Sequence, residues 1–202
     1  MNLPPSSLSI AVLLPLLLTA CRPAADTSNA APPLPAAVET TVLERGRAIT
    51  AQAFGLLSTN LVQALAAGGI TNALPYCSEK AYPLTALVAA TNEVKIRRVT
   101  HRPRNPTNAA TGIEWDLLRK YQLALGRGET LAPTVRAGTN GQVTFYSPIV
   151  ITNPLCLQCH GVPRDGPRPS TQALLRKLYP LDEATGFKLG DLRGLWRVDF
   201  AR

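Results

Sequence analysis

Residues 134–152 carry the clearest fold signal in the chain, and they read Thr134-Val-Arg-Ala-Gly-Thr-Asn-Gly-Gln-Val-Thr-Phe-Tyr-Ser-Pro-Ile-Val-Ile-Thr152. Asn140 and Gly141 stand between two β-prone runs, Thr134 to Ala137 and Gln142 to Thr152. An Asn-Gly pair in that position is a strong signal for a β-hairpin. We therefore expect an antiparallel sheet built around this turn.

Further strands are predicted on both sides of the hairpin. The run Val94-Lys-Ile-Arg-Arg-Val-Thr100 is rich in β-branched residues, and Gly194 to Phe200 predicts the last strand. Ile113 to Leu125 has the period of an amphipathic helix, and Thr171 to Leu178 predicts a short one. Elements of both kinds, with helices first, indicate the α+β class.

The N-terminal third of the domain is helical in pattern. Apolar residues recur at helical spacing from Ala37 to Ala67, where Gly68-Gly69 is expected to end the helix. A second helical stretch runs from Ile70 to about Ala90, with an interruption expected near Pro83.

The first 36 residues predict export and membrane tethering. Leu8 to Leu18 form a short apolar stretch, and Leu18-Thr-Ala-Cys21 resembles a bacterial lipobox that would make Cys21 the acylated residue. We expect a lipoprotein signal peptide at residues 1–20 and a flexible tether at 21–36, rich in Pro, Ala, Ser and Thr. Residues 1–9 lack Lys and Arg, so an uncleaved anchor is the alternative. Either way the protein would be anchored to a membrane and face the periplasm or the cell exterior.

The net charge of +8 comes from residues spread along the chain rather than from a basic run. Since aromatic residues make up only 5% of the sequence, the composition does not favour nucleic-acid binding. No catalytic triad or pair of catalytic carboxylates is recognisable, and Asp182, Glu183 and Asp191 are better interpreted as helix-cap and turn residues. The sequence therefore does not predict an enzyme.

The motif Cys156-Leu-Gln-Cys159-His160 predicts covalent attachment of one c-type haem. Two thiols at this spacing add across the two vinyl groups of a porphyrin, and the adjacent imidazole becomes an axial ligand of the iron. Two alternatives use the same residues: a redox disulfide of the thioredoxin type, and a Cys₃His zinc site that includes Cys77. The segment Gly161 to Pro169 cannot start a regular helix at once, which argues against a redox pair at a helix N-terminus.

The second axial ligand stays open when only the residues are considered. Met1 is the single methionine, so His/Met ligation is excluded once the leader is removed. The candidates are Cys77, His101, a lysine or tyrosine, and an open or water-filled position, with Cys77, His101 and no ligand weighted about evenly.

Several motifs together resemble a known family of exported, PAS-like domains with one c-type haem. The family was formerly a domain of unknown function, and its described member is a cyanobacterial haem protein associated with photosystem II. The resemblance covers residues 37–202 and rests on five motifs: Ala73 to Ala81, Val94 to Asn108 with Glu114-Trp115, Cys156 to Gly161, Tyr179 to Gly186, and Gly190 to Gly194.

The resemblance implies a PAS-like antiparallel sheet flanked by helices, with a long N-terminal helix. It also implies that His160 and Cys77 are the two axial ligands, and a thiolate ligand favours a low reduction potential. In addition, Arg102 and Arg104 are candidate partners of the haem propionates, because guanidinium groups suit carboxylates. The predicted roles are low-potential electron transfer with an unknown redox partner, or redox sensing with a diatomic gas as a candidate ligand. A zinc- or disulfide-stapled structural lipoprotein is the alternative.

Overall fold

The computed structural model describes Met1 and residues 33–138, 140–164 and 166–201. The chain divides into two units, Met1–Ala30 and Ala31–Arg202, and the fold below is that of the second. Apart from Met1, the predicted signal peptide of residues 1–20 lies outside the described residues, as do Cys21 and most of the tether.

Within the described residues, four strands form one antiparallel sheet. They are β1 (Val94–Val99), β2 (Thr134–Ala137), β3 (Val143–Val150) and β4 (Leu192–Phe200), in the spatial order β1-β4-β3-β2. Strands β2 and β3 are the predicted hairpin, and β1 and β4 are the two further strands expected from the sequence.

The same part of the chain contains four helices and one 3-10 turn. The helices are α1 (Ala36–Thr91), α2 (Ile113–Gly126), α3 (Pro154–His160) and α4 (Pro169–Leu178), and the 3-10 turn is Pro106–Asn108. The predicted class is confirmed: α+β, with an antiparallel sheet flanked by helices and a long N-terminal helix.

Helix α1 is bent back on itself at Gly68–Gly69, where the backbone leaves helical geometry. The second glycine has a φ of 65°, in the left-handed region that glycine tolerates best. The two halves then run side by side, because Asn92 donates to the side chain of Gln52 (3.0 Å) and the Tyr76 hydroxyl donates to Asn60 (2.8 Å). The predicted helix end at these glycines is therefore confirmed.

The interruption expected near Pro83 is wrong, since helical geometry continues through both Pro75 and Pro83 to Thr91. A proline in a helix leaves the carbonyl four residues earlier without its N–H donor. Those carbonyls belong to Thr71 and Glu79, which are both exposed, so water can take the place of the lost donors. By length and composition alone α1 would also suffice to cross a membrane, which is weak support for a membrane anchor.

The two faces of the sheet are covered by different helices. One face packs against α1 through a cluster that includes Val42, Ile49, Ala53, Val88, Val135, Phe145, Trp196, Val198 and Phe200. The other face packs against α2 through a cluster that includes Val99, Leu117, Leu118, Tyr121, Tyr146, Leu192 and Leu195. Alternation along each strand produces this division, because successive side chains point to opposite faces.

A buried ionic network fixes α2 to its face of the sheet. Glu114 is only 1% exposed, and its carboxylate accepts from Arg97 of β1 (2.9 Å) and from Arg197 of β4 (2.8 Å). Arg97 and Arg197 face each other in the β1–β4 pairing. A buried carboxylate needs such partners, so this network fixes where α2 begins relative to the sheet.

Candidate haem site

The Cys-x-x-Cys-His motif lies in α3. Asn153 caps this helix by accepting from the backbone N–H of Leu155 (2.8 Å), and Pro154 occupies the first turn, where its missing N–H costs little. Residues three and four apart share a helix face, so both motif cysteines and the histidine lie on one side of α3. The short helix thus presents the two thiols and the imidazole together.

The Asn153-Pro154 cap starts α3 before the motif, so the cysteine pair does lie near a helix N-terminus. The prediction that it would not, which was based on the residues after the motif, is therefore wrong. A different observation now weighs against a redox disulfide. Both thiols are free, and burial raises the pKa of Cys159, with Arg104 lowering it in part. Redox-active pairs of the thioredoxin type have a lowered thiol pKa.

His160 is held by one backbone oxygen. Its Nδ1 lies 2.7 Å from the carbonyl oxygen of Ala184. Since a carbonyl can only accept, Nδ1 carries the proton and Nε2 of the neutral ring keeps its lone pair. Burial holds the pKa of His160 well below its usual range, and the charges of Arg104 and Arg193 lower it further. Metal-ligating histidines are typically oriented in this way, so His160 suits axial ligation of iron.

The carbonyl of Ala184 is itself positioned by the loop before β4. Backbone bonds join Gly186 N–H to the carbonyl of Gly161 (2.8 Å) and Phe187 N–H to the carbonyl of His160 (2.9 Å). The Phe187 ring packs edge-on against the imidazole, with centroids 6.3 Å apart. Residues 182–187, here named the bracing loop, therefore hold the end of α3 from one side.

Arg104 links the bracing loop to α3. Its guanidinium pairs with Asp182 (3.2 Å) and donates to the carbonyls of Cys159 (2.6 Å) and Ala184 (3.3 Å). Asp182 also accepts from the N–H of Ala184 (2.8 Å), which makes it both an ion-pair partner and the predicted turn residue.

Arg102 also contacts the bracing loop. It donates to the carbonyls of Glu183 (3.2 Å) and Thr185, and its guanidinium lies 4.5 Å from the centroid of the Phe187 ring. The hypothesis that Arg102 and Arg104 pair with propionates stays a prediction. In this structure both guanidinium groups are engaged by protein acceptors.

Cys77 lies in the returning half of α1 and is half-buried. Burial raises the pKa of its thiol, while the nearby charges of Arg98 and Arg104 lower it in part. Cys77 in turn contributes to the raised pKa of Cys159, although less than burial does. The fold therefore brings Cys77 into electrostatic range of α3, from a position about 80 residues earlier in the sequence.

His101, the other candidate for the second axial ligand, contacts Phe187 and Gln122. Its ring packs edge-on against Phe187, with centroids 6.2 Å apart, and its Nε2 lies 3.2 Å from the side-chain amide of Gln122. Its Nδ1 is buried and has no hydrogen-bond partner among the described residues. His101 and His160 thus share one aromatic neighbour.

The zinc alternative finds no support in this geometry. In the described parts of the chain, no three His, Cys, Asp or Glu side chains are grouped closely enough to hold a metal ion. Cys77, Cys156, Cys159 and His160 all belong to those parts, so they do not form a closed Cys₃His set here.

Sequence reasoning missed three components of the site. Arg98 and Arg193 were not singled out, although Arg98 occupies an inward position after Val94 and Ile96, where an arginine is unusual. The acceptor of the His160 proton is a backbone carbonyl, and no side-chain pattern signals it.

Comparison with known proteins agrees with this fold. The chain matches the Tll0287-like family over residues 28–201. The crystal structure of the cyanobacterial heme-protein Tll0287 superposes with a TM-score of 0.57 at 24% identity, over 79% of this chain and 95% of that one. No individually curated protein matches significantly. Because the family match spans well over half of the sequence, the chain belongs to the Tll0287-like family.

Proposed function

We propose that this protein is a membrane-tethered c-type cytochrome with one haem, in which His160 and Cys77 are the axial ligands. Its role would be low-potential electron transfer or redox and gas sensing. The observation that carries the proposal is the His160 Nδ1–Ala184 bond, which leaves the Nε2 lone pair available in the same short helix as two free thiols at the haem-attachment spacing. A solved structure of the same fold is described as a heme-protein, which supports haem binding here.

Each residue has a defined task in this proposal. Cys156 and Cys159 would hold the porphyrin through thioether bonds, and His160 would bind the iron through Nε2. Cys77 would supply a thiolate from α1. When bound, the haem provides a one-electron iron couple, and a thiolate ligand shifts that couple towards the ferric state.

Electron transfer and sensing differ in what Cys77 does upon reduction. A carrier keeps both axial ligands, which minimises rearrangement, and it hands electrons to a separate redox partner protein. In a sensor, reduction by the partner protein would be coupled to uptake of a proton from solvent by the Cys77 thiolate, and the neutral thiol, a weaker ligand, would leave the position to a diatomic gas. Carbon monoxide distinguishes the carrier from the sensor, because the reduced carrier should not bind it and the reduced sensor should bind it quickly and completely.

The tether is a separate part of the proposal. We expect the lipid on Cys21 to anchor the protein and the domain to face the periplasm or the cell exterior. Replacing Cys21 by Ala should move the protein from the membrane fraction to the soluble fraction. Retention of the variant in washed membranes would favour the uncleaved anchor.

The decisive experiment is export of the full chain in a bacterial host that matures c-type haem, followed by denaturation. Haem should stay with the polypeptide in the wild type and be lost in the Cys156→Ala, Cys159→Ala double variant. If the denatured wild type carries no haem, the proposal fails. The same sample then tests the stapled structural lipoprotein by zinc content and by thiol titration.

A further inference from the structure

The bent part of α1 carries no charged side chain over a long run of sequence. Residues 48–78, here named the uncharged bend, contain no Asp, Glu, Lys, Arg or His, and they include the Gly68–Gly69 turn. An 18-residue stretch of α1 is apolar enough for a membrane by composition, yet only 11% of that stretch is buried in the fold. Large exposed apolar surface on a protein usually marks a contact with another protein or with a membrane.

The exposed apolar residues lie on one side of the first half of α1. Phe54 is 59% exposed and Val62 is 53% exposed. Small exposed residues surround them at spacings of three, four and seven residues, which place all of them on one helix face. This outer face consists of Ala51, Phe54, Gly55, Val62 and Ala66. The other side of the same helix packs against the sheet through Ile49 and Ala53.

Six polar side chains of the uncharged bend direct their hydrogen-bond donors back into α1. The amide of Asn72, for example, reaches across the turn and donates to the carbonyl of Ala64 (2.8 Å). All six donate to acceptors within α1 at 2.8–3.1 Å, and they are Ser58, Asn60, Thr71, Asn72, Tyr76 and Ser78. A segment in contact with lipid has no water to bond to, so its polar groups must find partners inside the protein. The uncharged bend meets this requirement at these six positions.

Helix α2 also has exposed apolar side chains, but charged groups lie among them. Trp115 is 50% exposed and Leu123 is 59% exposed. Between them, Asp116 and Arg119 form an ion pair whose side chains are 69% and 74% exposed. Removing such charges from water is costly. The outer face of α1 is therefore better suited to lipid than the exposed face of α2.

The chain that precedes α1 indicates what covers the outer face. Residues 21–35 belong to the predicted tether and end where α1 begins, and their extended length is at most about 50 Å. Along the helix axis, the far end of the outer face at Ala66 is about 45 Å from Ala36. A membrane that holds Cys21 is thus within reach of the whole outer face, and the tether keeps the local concentration of lipid high.

We propose that the outer face of α1 docks on the lipid bilayer that carries the tether, with Phe54 and Val62 at the boundary between headgroups and acyl chains. This inference rests on the membrane tether of the proposed function and does not depend on haem. The helix lies in the plane of the membrane rather than across it, because Ile49 and Ala53 on its other side are packed against the sheet. Docking fixes the orientation of the domain, whereas a flexible tether alone would leave the domain free to rotate.

The test places a tryptophan on the outer face and measures whether lipid chains contact it. The full chain, exported and purified from membranes, is reconstituted into vesicles of phosphatidylethanolamine and phosphatidylglycerol whose oleoyl chains are either intact or brominated. Bromine quenches the emission of tryptophans that it contacts, and the comparison of the two lipids cancels any quenching by haem. Emission from Phe54→Trp and from Val62→Trp should fall in the brominated vesicles. The wild type, with Trp115 and Trp196 only, supplies the background.

Leu123→Trp is the matched control. Leu123 is 59% exposed, as Phe54 is, but it lies on α2, which covers the other face of the sheet. The emission added by this variant should be the same in both kinds of vesicle. Circular dichroism verifies that each variant folds, and if Phe54→Trp misfolds, Val62→Trp alone decides.

Four outcomes would overturn the inference, and they have different meanings. Vesicle-bound protein without quenching at either α1 position would leave the tether standing and remove the docking face. Quenching of Leu123→Trp instead would place α2 on the membrane. A blue-shifted, unquenched emission that reverts when the protein is diluted into excess lipid would show that a second copy of the chain covers the outer face. Protein that does not float with the vesicles would overturn the tether of the proposed function, and this inference with it.

Discussion

The imidazole Nδ1 of His160 lies 2.7 Å from the carbonyl oxygen of Ala184, 24 residues further along the chain. Neither residue can maintain this contact by itself, because the carbonyl belongs to a loop without regular structure. Asp182 fixes it by accepting from the N–H of Ala184 and by pairing with Arg104, which also reaches back to α3. The orientation of a proposed iron ligand thus depends on an ion pair that does not touch it.

We predict that Asp182→Ala lowers the free energy of unfolding by about 3–5 kcal/mol, the usual cost of leaving one member of a buried ion pair unpaired. The side chains of Arg104 and Asp182 are only 13% and 8% exposed, so water cannot replace the lost carboxylate. Urea denaturation measures the change. Asp116→Ala is the matched control, because it breaks an ion pair whose members are 69% and 74% exposed, and it should have little effect.

Acidification should destabilise the haem-free chain through its two histidines. Burial is the main cause that lowers the folded-state pKa of both His160 and His101 below 6.5. Below about pH 6.5 the unfolded chain therefore binds more protons than the folded chain, and the free energy of unfolding falls as the pH drops. The maximum slope is about 1.4 kcal/mol per pH unit for each histidine.

Urea denaturation at a series of pH values between 7 and 5 checks this prediction. His160→Gln should flatten the dependence more than His101→Gln does, because the pKa of His160 is lowered further. Equal slopes in the wild type and in His160→Gln would show that His160 is not buried as a neutral imidazole.

The contact between α1 and the sheet predicts opposite effects for two similar substitutions in one helix. A Cβ on Gly46 would overlap the Phe145 ring, which is fully buried, so Gly46→Ala should destabilise by about 1–3 kcal/mol through overpacking. A Cβ on Gly55 meets nothing within 4 Å, so Gly55→Ala should stabilise by about 0.5–1 kcal/mol through helix propensity. Thermal denaturation compares the two, and a stabilised Gly46→Ala would contradict the packing described here.

The sequence predicted those features that depend on local chemistry. The Asn140-Gly141 turn, the β-branched run from Val94 and the glycine bend of α1 each carry their own signal, and all appear in the structure. The Asn153-Pro154 pair also carries a local signal, that of a helix start, but the sequence analysis did not use it. The His160–Ala184 contact could not be predicted, because it depends on how distant segments pack and uses a backbone oxygen.

The proposed ligation makes Cys77 the most informative residue to replace. Cys77→Ala in the haem-loaded protein should change the ferric absorption spectrum and raise the midpoint potential, because a thiolate donates negative charge that stabilises ferric iron. Ser78→Ala is the matched control: it removes a hydroxyl from the next residue, which donates only to the carbonyl of Pro75 (2.8 Å), and it should leave both quantities unchanged. His101→Gln completes the comparison, since a change there with none in Cys77→Ala would transfer the ligand assignment to His101. If neither Cys77→Ala nor His101→Gln alters the spectrum, neither Cys77 nor His101 is the second axial ligand.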